Sequence, residues 1–356
     1  MMPIEPNLMQ FEDGTEVTAA AWEKRRAELR EAIIPHEYGG LPPSPLATNT
    51  ILLCRSVART EEGFGHHTYE VRTEFAEGEL SFLLNLRVPL DGGPFPVVLN
   101  GDGCWGYFND EIVLRTVRRG NIAASFNRTA LAADNRDLYR ETGLYRLFPE
   151  ASFGALGAWA WGYHRSIDAL STLDFVRPDQ IAITGHSRGG KTVLLAGATD
   201  DRIALTNPNG SGTGGSGLNR LKSSGAEVVD DFFRSGNIFW FGSGFAEYRH
   251  RDRELPYDQH FLHALIAPRA LLASEAHGDV WANPPGSYAA CRAAMRVYGL
   301  LGAPRNIGWA IREGGHAHSS EDFDALLDFM DARFHGREVV REFQREVYCD
   351  LESLLS

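Results

Sequence analysis

The chain has 356 residues, 43% of them hydrophobic and 23% charged, which suits either one large α/β domain or two ordinary ones. No apolar run reaches the ~18 residues of a membrane span. A net charge of −12 without a basic stripe excludes nucleic acid as the main ligand. Met1 to Asp13 carries no basic segment followed by an apolar stretch, so the expectation is a cytoplasmic protein or one lacking its secretion signal. Cys54, Cys104, Cys291 and Cys349 are scattered without metal or redox spacing; they read as free thiols, with one disulfide left open.

Thr18 to Ile33 reads as an amphipathic helix ended by the Pro35 and Gly39-Gly40 region. Strand-like alternation in Asn49 to Ala58, His67 to Phe75 and Glu79 to Val88 predicts an antiparallel meander. Phe95 to Asn100 and Gly120 to Phe126 read as short buried strands flanking a helix, Glu111 to Arg119. The basic run Arg115 to Arg119 reads as the solvated face of that helix. Helix Ala155 to Phe175, strand Gln180 to Thr184, helix Lys191 to Thr199 and strand Ile203 to Thr206 follow. After a long irregular segment come helix Asp258 to Leu265, strand Arg269 to Ser274, helix Pro285 to Leu300, strand Asn306 to Arg312 and helix Ser320 to His335.

Strands alternating with helices of this length imply βαβ units and a parallel sheet. Antiparallel strands first, then parallel ones, is the order of the α/β-hydrolase fold, a three-layer sandwich with helices on both faces of a mostly parallel sheet. No break separates the halves. Residues 1–356 therefore read as a single domain with an N-terminal helix and an antiparallel strand extension.

Chemistry concentrates in Gly185-His186-Ser187-Arg188-Gly189, between a β-prone run and a helical one. That is the layout of a nucleophile elbow, with a serine hydroxyl at the tip of a strand-to-helix turn. A serine needs a base to take its proton, and this fold places acid and then histidine later in the chain. His316 follows the last strand in Gly314-Gly315-His316 and is the candidate base; His318 is the competitor and reads better as a surface histidine. Asp279, in the loop after strand Arg269 to Ser274, is the candidate acid. Glu275 is the alternative acid, unless it only hydrogen-bonds beneath the loop.

The oxyanion needs donors. The backbone N–H of Arg188 is the expected first donor, and its guanidinium is a second candidate unless Arg188 only forms a salt bridge on its helix. Loop Gly101 to Gly106 lacks the His-Gly-Gly pattern of lipases. Lys191, Asn127, Arg128 and Trp281 lie at or near strand ends and are candidate substrate-binding residues. An anionic sugar calls for such cations beside an aromatic platform. The competing readings are a solvated Lys191, an ion-paired Arg128 and a core-packed Trp281. The expected partner is a small-molecule or oligosaccharide ester, with no nucleic acid, membrane, metal or cofactor.

Gly185-His186-Ser187-Arg188-Gly189-Gly190-Lys191 resembles the Gly-Cys-Ser-Arg-x-Gly-Lys of carbohydrate esterase family 15, the glucuronoyl esterases, with His186 in place of the usual Cys. Ala158 to Gly162, Leu255 to His260, Ala267-Pro268-Arg269, Asp279 to Pro284 and Gly314 to His316 also match in order. The start, Phe11 to Gly14 through Trp22, resembles the family's opening segment. The resemblance implies an esterase cleaving the bond between glucuronic acid of xylan and lignin alcohols. It implies Ser187 as nucleophile, His316 as base, Arg188 as oxyanion stabiliser, Lys191 as a ligand for sugar hydroxyls and Trp281 beside the uronate.

Two departures stand out. Many members carry the catalytic glutamate in Pro-x-Glu-Ser-Gly-x-Gly-Gly, where Pro208 to Gly215 has Gly210, so the acid falls to Asp279. The acidic sugar-binding residue expected before Trp240-Phe241 is not evident in Gly236 to Phe239. The expected substrate is an alkyl or aryl ester of (4-O-methyl-)glucuronic acid or a related uronate. The alternatives are a carbohydrate acetyl esterase, a pectin-type uronate methylesterase and a non-catalytic carbohydrate-binding protein on a hydrolase scaffold. A positive pocket with Lys191 and Arg128 would favour uronoyl esters, and a small apolar acyl pocket acetyl esters.

Overall fold

The strands are β1 (Ala47–Ala58), β2 (Phe64–Phe75), β3 (Gly78–Pro89), β4 (Phe95–Asn100), β5 (Ile122–Phe126), β6 (Val176–His186), β7 (Leu205–Asn209), β8 (Ala270–Ala276) and β9 (Ile307–Arg312). In the computed structural model, which describes residues 4–58 and 63–355, they form one sheet in the order β1-β2-β3-β5-β4-β6-β7-β8-β9. The first three residues of Met1 to Asp13 lie outside the described residues. Strands β1, β2, β3 and β5 pair antiparallel, and every pairing from β5 to β9 is parallel.

Burial follows the strand pattern. In β3, Phe82, Leu84, Leu86 and Val88 are buried and the residues between them are not, so that sheet region has one wet face. Strands β4, β7 and β8 are buried at every position, as a sheet covered on both faces requires.

The helices are α1 (Trp22–Tyr38), α2 (Asp110–Arg118), α3 (Ala155–Leu170), α4 (Arg188–Thr199), α5 (Val229–Ser235), α6 (Ser243–Ala246), α7 (His260–Ile266), α8 (Pro284–Leu300), α9 (Ser320–Phe334) and α10 (Leu351–Leu354). Val97, Leu99, Ile181 and Ile183 pack with residues of α3 and α4. Their chain neighbours Val98 and Ala182 pack instead with Leu326 and Met330 of α9. Successive strand residues face opposite sides, so this division separates two helical layers across the sheet.

Three local expectations change. Helix α1 runs past Pro35 to Tyr38, because the packing of Ile34, Glu37 and Tyr38 into the interior outweighs the amide hydrogen bond that a proline lacks. Helix α3 stops at Leu170 rather than Phe175, since the Phe175 carbonyl already accepts from the Phe95 N–H at 2.8 Å. The run Arg115 to Arg119 is a seam rather than a solvated face: Arg115 pairs with Asp324 and Arg119 with Asp328, both at 2.7 Å, on α9.

Strands β5 and β6 lie on opposite sides of β4, so the chain order reverses there and the loops at the carboxyl ends open a crevice. The four cysteines are free. No helix among the described residues is long and apolar enough to cross a membrane.

Candidate active site

Strand β6 ends at His186 and α4 begins at Arg188, so Ser187 alone makes the turn. Its φ of 56° and ψ of −120° lie outside the ordinary basins for a residue with a side chain, a strain typical of nucleophile elbows. Two contacts hold it: the Ser187 N–H donates to the Asn209 carbonyl at 2.9 Å, and the Lys191 N–H to the Ser187 carbonyl at 3.0 Å. The glycines are required by close approach. A Cβ at Gly185 would stand 2.5 Å from the Gly189 carbonyl oxygen, and one at Gly189 would stand 2.3 Å from the Asp102 carboxylate.

Asp279 and His316 come together from the loops after β8 and β9. Nδ1 of His316 donates to Oδ2 of Asp279 at 2.6 Å, which leaves Nε2 as the ring nitrogen able to take a proton. Asp279 is buried, while His316 is exposed at the mouth of the crevice. Ser187 and His316 line one cavity of about 540 Å³ together with Arg188, Lys191, Trp281 and Trp240. That size lies within the ~300–1,000 Å³ usual for small-molecule sites.

Arg188 occupies the first turn of α4, where backbone N–H groups point out of the helix. Its guanidinium donates to Oδ2 of Asp134 at 3.1 Å and lies 4.5 Å from the Trp240 ring and 5.8 Å from the Trp105 ring. Trp240 in turn donates from Nε1 to the other Asp134 oxygen at 3.0 Å. Acid and indoles thus hold the guanidinium in place. Trp281 is 49% exposed and lines the cavity, so it is not a core residue.

Other candidates stand elsewhere. Arg128 is 0% exposed and away from the cavity; Nε donates to Oδ1 of Asp102 at 2.9 Å, and its head lies 4.3 Å from the Trp159 ring. It forms the buried ion pair of the competing reading, with Asp102 and, at 3.5 Å, with Asp134, and is not among the residues that line the cavity. Asn127 also lies off the cavity, its side chain accepting from the Thr129 N–H at 3.0 Å and hydroxyl at 2.7 Å to cap its own turn. Lys191 does line the cavity, but Nζ donates to the Ser211 and Thr213 carbonyls, both at 2.6 Å, and to Oε2 of Glu227 at 2.8 Å. An ammonium has three protons, so its donors are taken up by the wall.

His318 is buried, contrary to its reading as a surface histidine: it stacks 4.2 Å from the Phe323 ring, and burial keeps its imidazole well below the ordinary histidine range. Glu275 is buried beneath the loop. Desolvation pushes its carboxyl well above the usual range, which makes it poorly suited to supporting an imidazolium. Among the described residues no group of three or more His, Cys, Asp or Glu is arranged to hold a metal ion.

A family model described as glucuronyl esterase, fungi, matches residues 71–302. The 4-O-methyl-glucuronoyl methylesterase of Schizophyllum commune is 34% identical over 354 residues, covering 95% of this chain and 84% of that protein. The chain belongs to the glucuronoyl esterase family. It is a carboxylic ester hydrolase of the α/β-hydrolase fold. A carbohydrate esterase family 15 glucuronoyl esterase from Caldicellulosiruptor kristjansonii superposes with a TM-score of 0.84 at 29% identity, covering 98% of this chain and 95% of that one. A mutant glucuronoyl esterase from Sporotrichum thermophile, in complex with methyl 4-O-methyl-β-D-glucopyranuronate, gives a TM-score of 0.77 at 25% identity over 97% of this chain and 92% of that one.

Within this glucuronoyl esterase, three acidic or amide residues besides Asp102 escaped the sequence. Asp134, Glu227 and Asn209 hold Arg188, Lys191 and the elbow respectively. Asp134 and Glu227 sit in irregular segments without periodic signal. Asn209 was visible only as part of the Pro208 to Gly215 motif, and its partner lies on the neighbouring strand.

Proposed function

We propose that this chain hydrolyses an alkyl or aryl ester of glucuronic acid or its 4-O-methyl ether through an acyl-enzyme. Nε2 of His316 takes the proton of Ser187 as Oγ attacks the ester carbonyl carbon. Asp279 keeps the proton on Nδ1 of His316 and stabilises the imidazolium. The carbonyl oxygen gathers negative charge beside the N–H and guanidinium of Arg188. Collapse breaks the bond to the alcohol oxygen, which leaves with the proton from His316. Water, deprotonated by His316, then attacks the acyl-enzyme and releases the uronic acid, returning the proton to Ser187.

The observation that carries this reading is the shared cavity: Ser187 and the Asp279-held His316 open onto a space walled by Arg188, Lys191 and Trp281. A sugar ring fits such a space, and its polar wall is unlike a small apolar acyl pocket. The relatives named as glucuronoyl esterases support the substrate class. One domain over residues 1–356 is part of the same proposal, supported by a sheet that takes strands from both halves.

The test compares a benzyl glucuronate ester with p-nitrophenyl acetate. The uronate ester is expected to show the higher kcat/KM, and Ser187→Ala to abolish its turnover. A preference for the acetate would overturn the substrate class, and an active Ser187→Ala variant the mechanism.

A further inference from the structure

Two of the three departures from the family pattern, His186 for cysteine and Gly210 for glutamate, meet in space. A Cβ on Gly210 would stand 3.2 Å from Oδ2 of Asp279 and 3.3 Å from Cε1 of His186. The carboxylate that orients His316 and the ring of His186 therefore close on the same glycine. Any side chain there would press on both, and its φ of +50° disfavours one in addition.

The His186 ring is itself fixed. Its backbone N–H donates to Oδ2 of Asp102 at 2.8 Å, and Nδ1 donates to Oδ1 of Asn209 at 2.5 Å. Tyr107 meets the ring edge-on at 5.2 Å. On its other side the ring centroid lies 4.3 Å from that of His316, at an interplanar angle of 42°. The environments differ: His186 is buried, whereas the side chain of His316 is 42% exposed.

One hydrogen bond to Asp279 leaves an exposed imidazole free to swing about that bond. We infer that His186 is a positioning residue, a buried wall whose face stops that swing and holds the His316 ring at Ser187. The wall supplies the support on the β7 side of the base, where Gly210 offers none.

Charge favours the arrangement. Burial and then the neighbouring His316 hold the His186 imidazole below the ordinary histidine range, against the opposing pull of Asn209, Asp102 and Asp322. His318, 5.8 Å away and also held uncharged, faces it from the loop after β9. A neutral wall adds no repulsion when His316 accepts the serine proton.

The inference rests on His316 as the base, and the experiment separates the two. His186→Ala and His186→Phe are compared with the native enzyme on a benzyl glucuronate ester, together with the low-field proton resonance of Nδ1 of His316. His186→Ala is expected to lower kcat about tenfold or more with KM within twofold, and to broaden the resonance. His186→Phe, which keeps a flat ring, is expected to recover most of the loss. Native kcat in His186→Ala, or no recovery in His186→Phe, overturns the inference. Should the alanine variant not fold, His186→Leu replaces it under the same two criteria. An active His316→Ala variant would instead overturn the assignment of the base.

Discussion

Asp102 accepts from Nε of Arg128 at 2.9 Å with one carboxylate oxygen and from the backbone N–H of His186 at 2.8 Å with the other. A buried ion pair thereby reaches the strained turn that carries Ser187. Asp102 and Arg128 are both fully buried, so Asp102 depends on Arg128 for its charge to be tolerated, while Arg128 is also met by Asp134 at 3.5 Å. Asp102→Asn is expected to keep the shape and leave Arg128 only its longer contact with Asp134 at 3.5 Å, lowering stability by up to about 3–5 kcal/mol. Urea unfolding measures this, and an unchanged midpoint would remove Asp102 from its bracing role. Because the His186 N–H also loses a charged acceptor, kcat is expected to fall in the folded fraction.

The two acid candidates separate by isosteric substitution. Asp279→Asn abolishes the charge opposite Nδ1 of His316 and is expected to reduce kcat by about 10⁴-fold, the scale seen when a triad acid is neutralised. Glu275→Gln replaces a carboxyl that burial disfavours in its charged form and should leave kcat within a few-fold. The reverse pattern in steady-state kinetics would reassign the acid.

Arg188 and Trp281 should divide binding from chemistry. Removing a donor for the developing oxyanion costs about 10²–10³ in kcat, and Arg188→Ala is expected to fall in that range. Trp281→Ala takes away an exposed ring from the wall and should raise KM several-fold with little change in kcat. Equal effects of both changes on kcat would show that the ring acts in the transition state as well.

Four buried groups, beside Glu275, His318 and His186, contribute to the dependence of stability on pH. Desolvation holds the carboxyl of Glu37 up to about 8, and it holds His164, His260 and His263 down to about 4. For the glutamate, the folded state keeps a proton that the unfolded chain has lost, so stability declines as pH rises from 4.5 to about 8. For the histidines the unfolded chain gains a proton first, so stability declines as pH falls from 6.5 to about 4. Three histidines outweigh one glutamate on the acid side, which places the maximum of these contributions near pH 6.5. Thermal unfolding across pH 5 to 9 checks it: Glu37→Gln should flatten the alkaline decline, worth on the order of a few kcal/mol. An unaltered alkaline slope in that variant would place the linkage elsewhere.

What was legible follows from what periodicity encodes. Ser187, Asp279 and His316 each sit just past an apolar run, so their loops, and the crevice those loops share, were readable from strand order. The ends of α1 and α3 were not, because the burial of Tyr38 and the contact between Phe175 and Phe95 are made with distant residues. Arg128 advertised a charge, but its partner Asp102 comes near only because β4 and β5 lie parallel. His318 carried no sign of the aromatic stack that buries it.

The cations on the cavity wall are already matched. Arg188 faces Asp134, Lys191 faces Glu227, and Arg234 faces Asp231. An ester enters uncharged, whereas the uronic acid that leaves is an anion at neutral pH. Walls balanced in this way offer little extra grip on the charge that hydrolysis creates. Free glucuronate should accordingly inhibit only at concentrations well above those at which the ester saturates; tight competitive inhibition would contradict it.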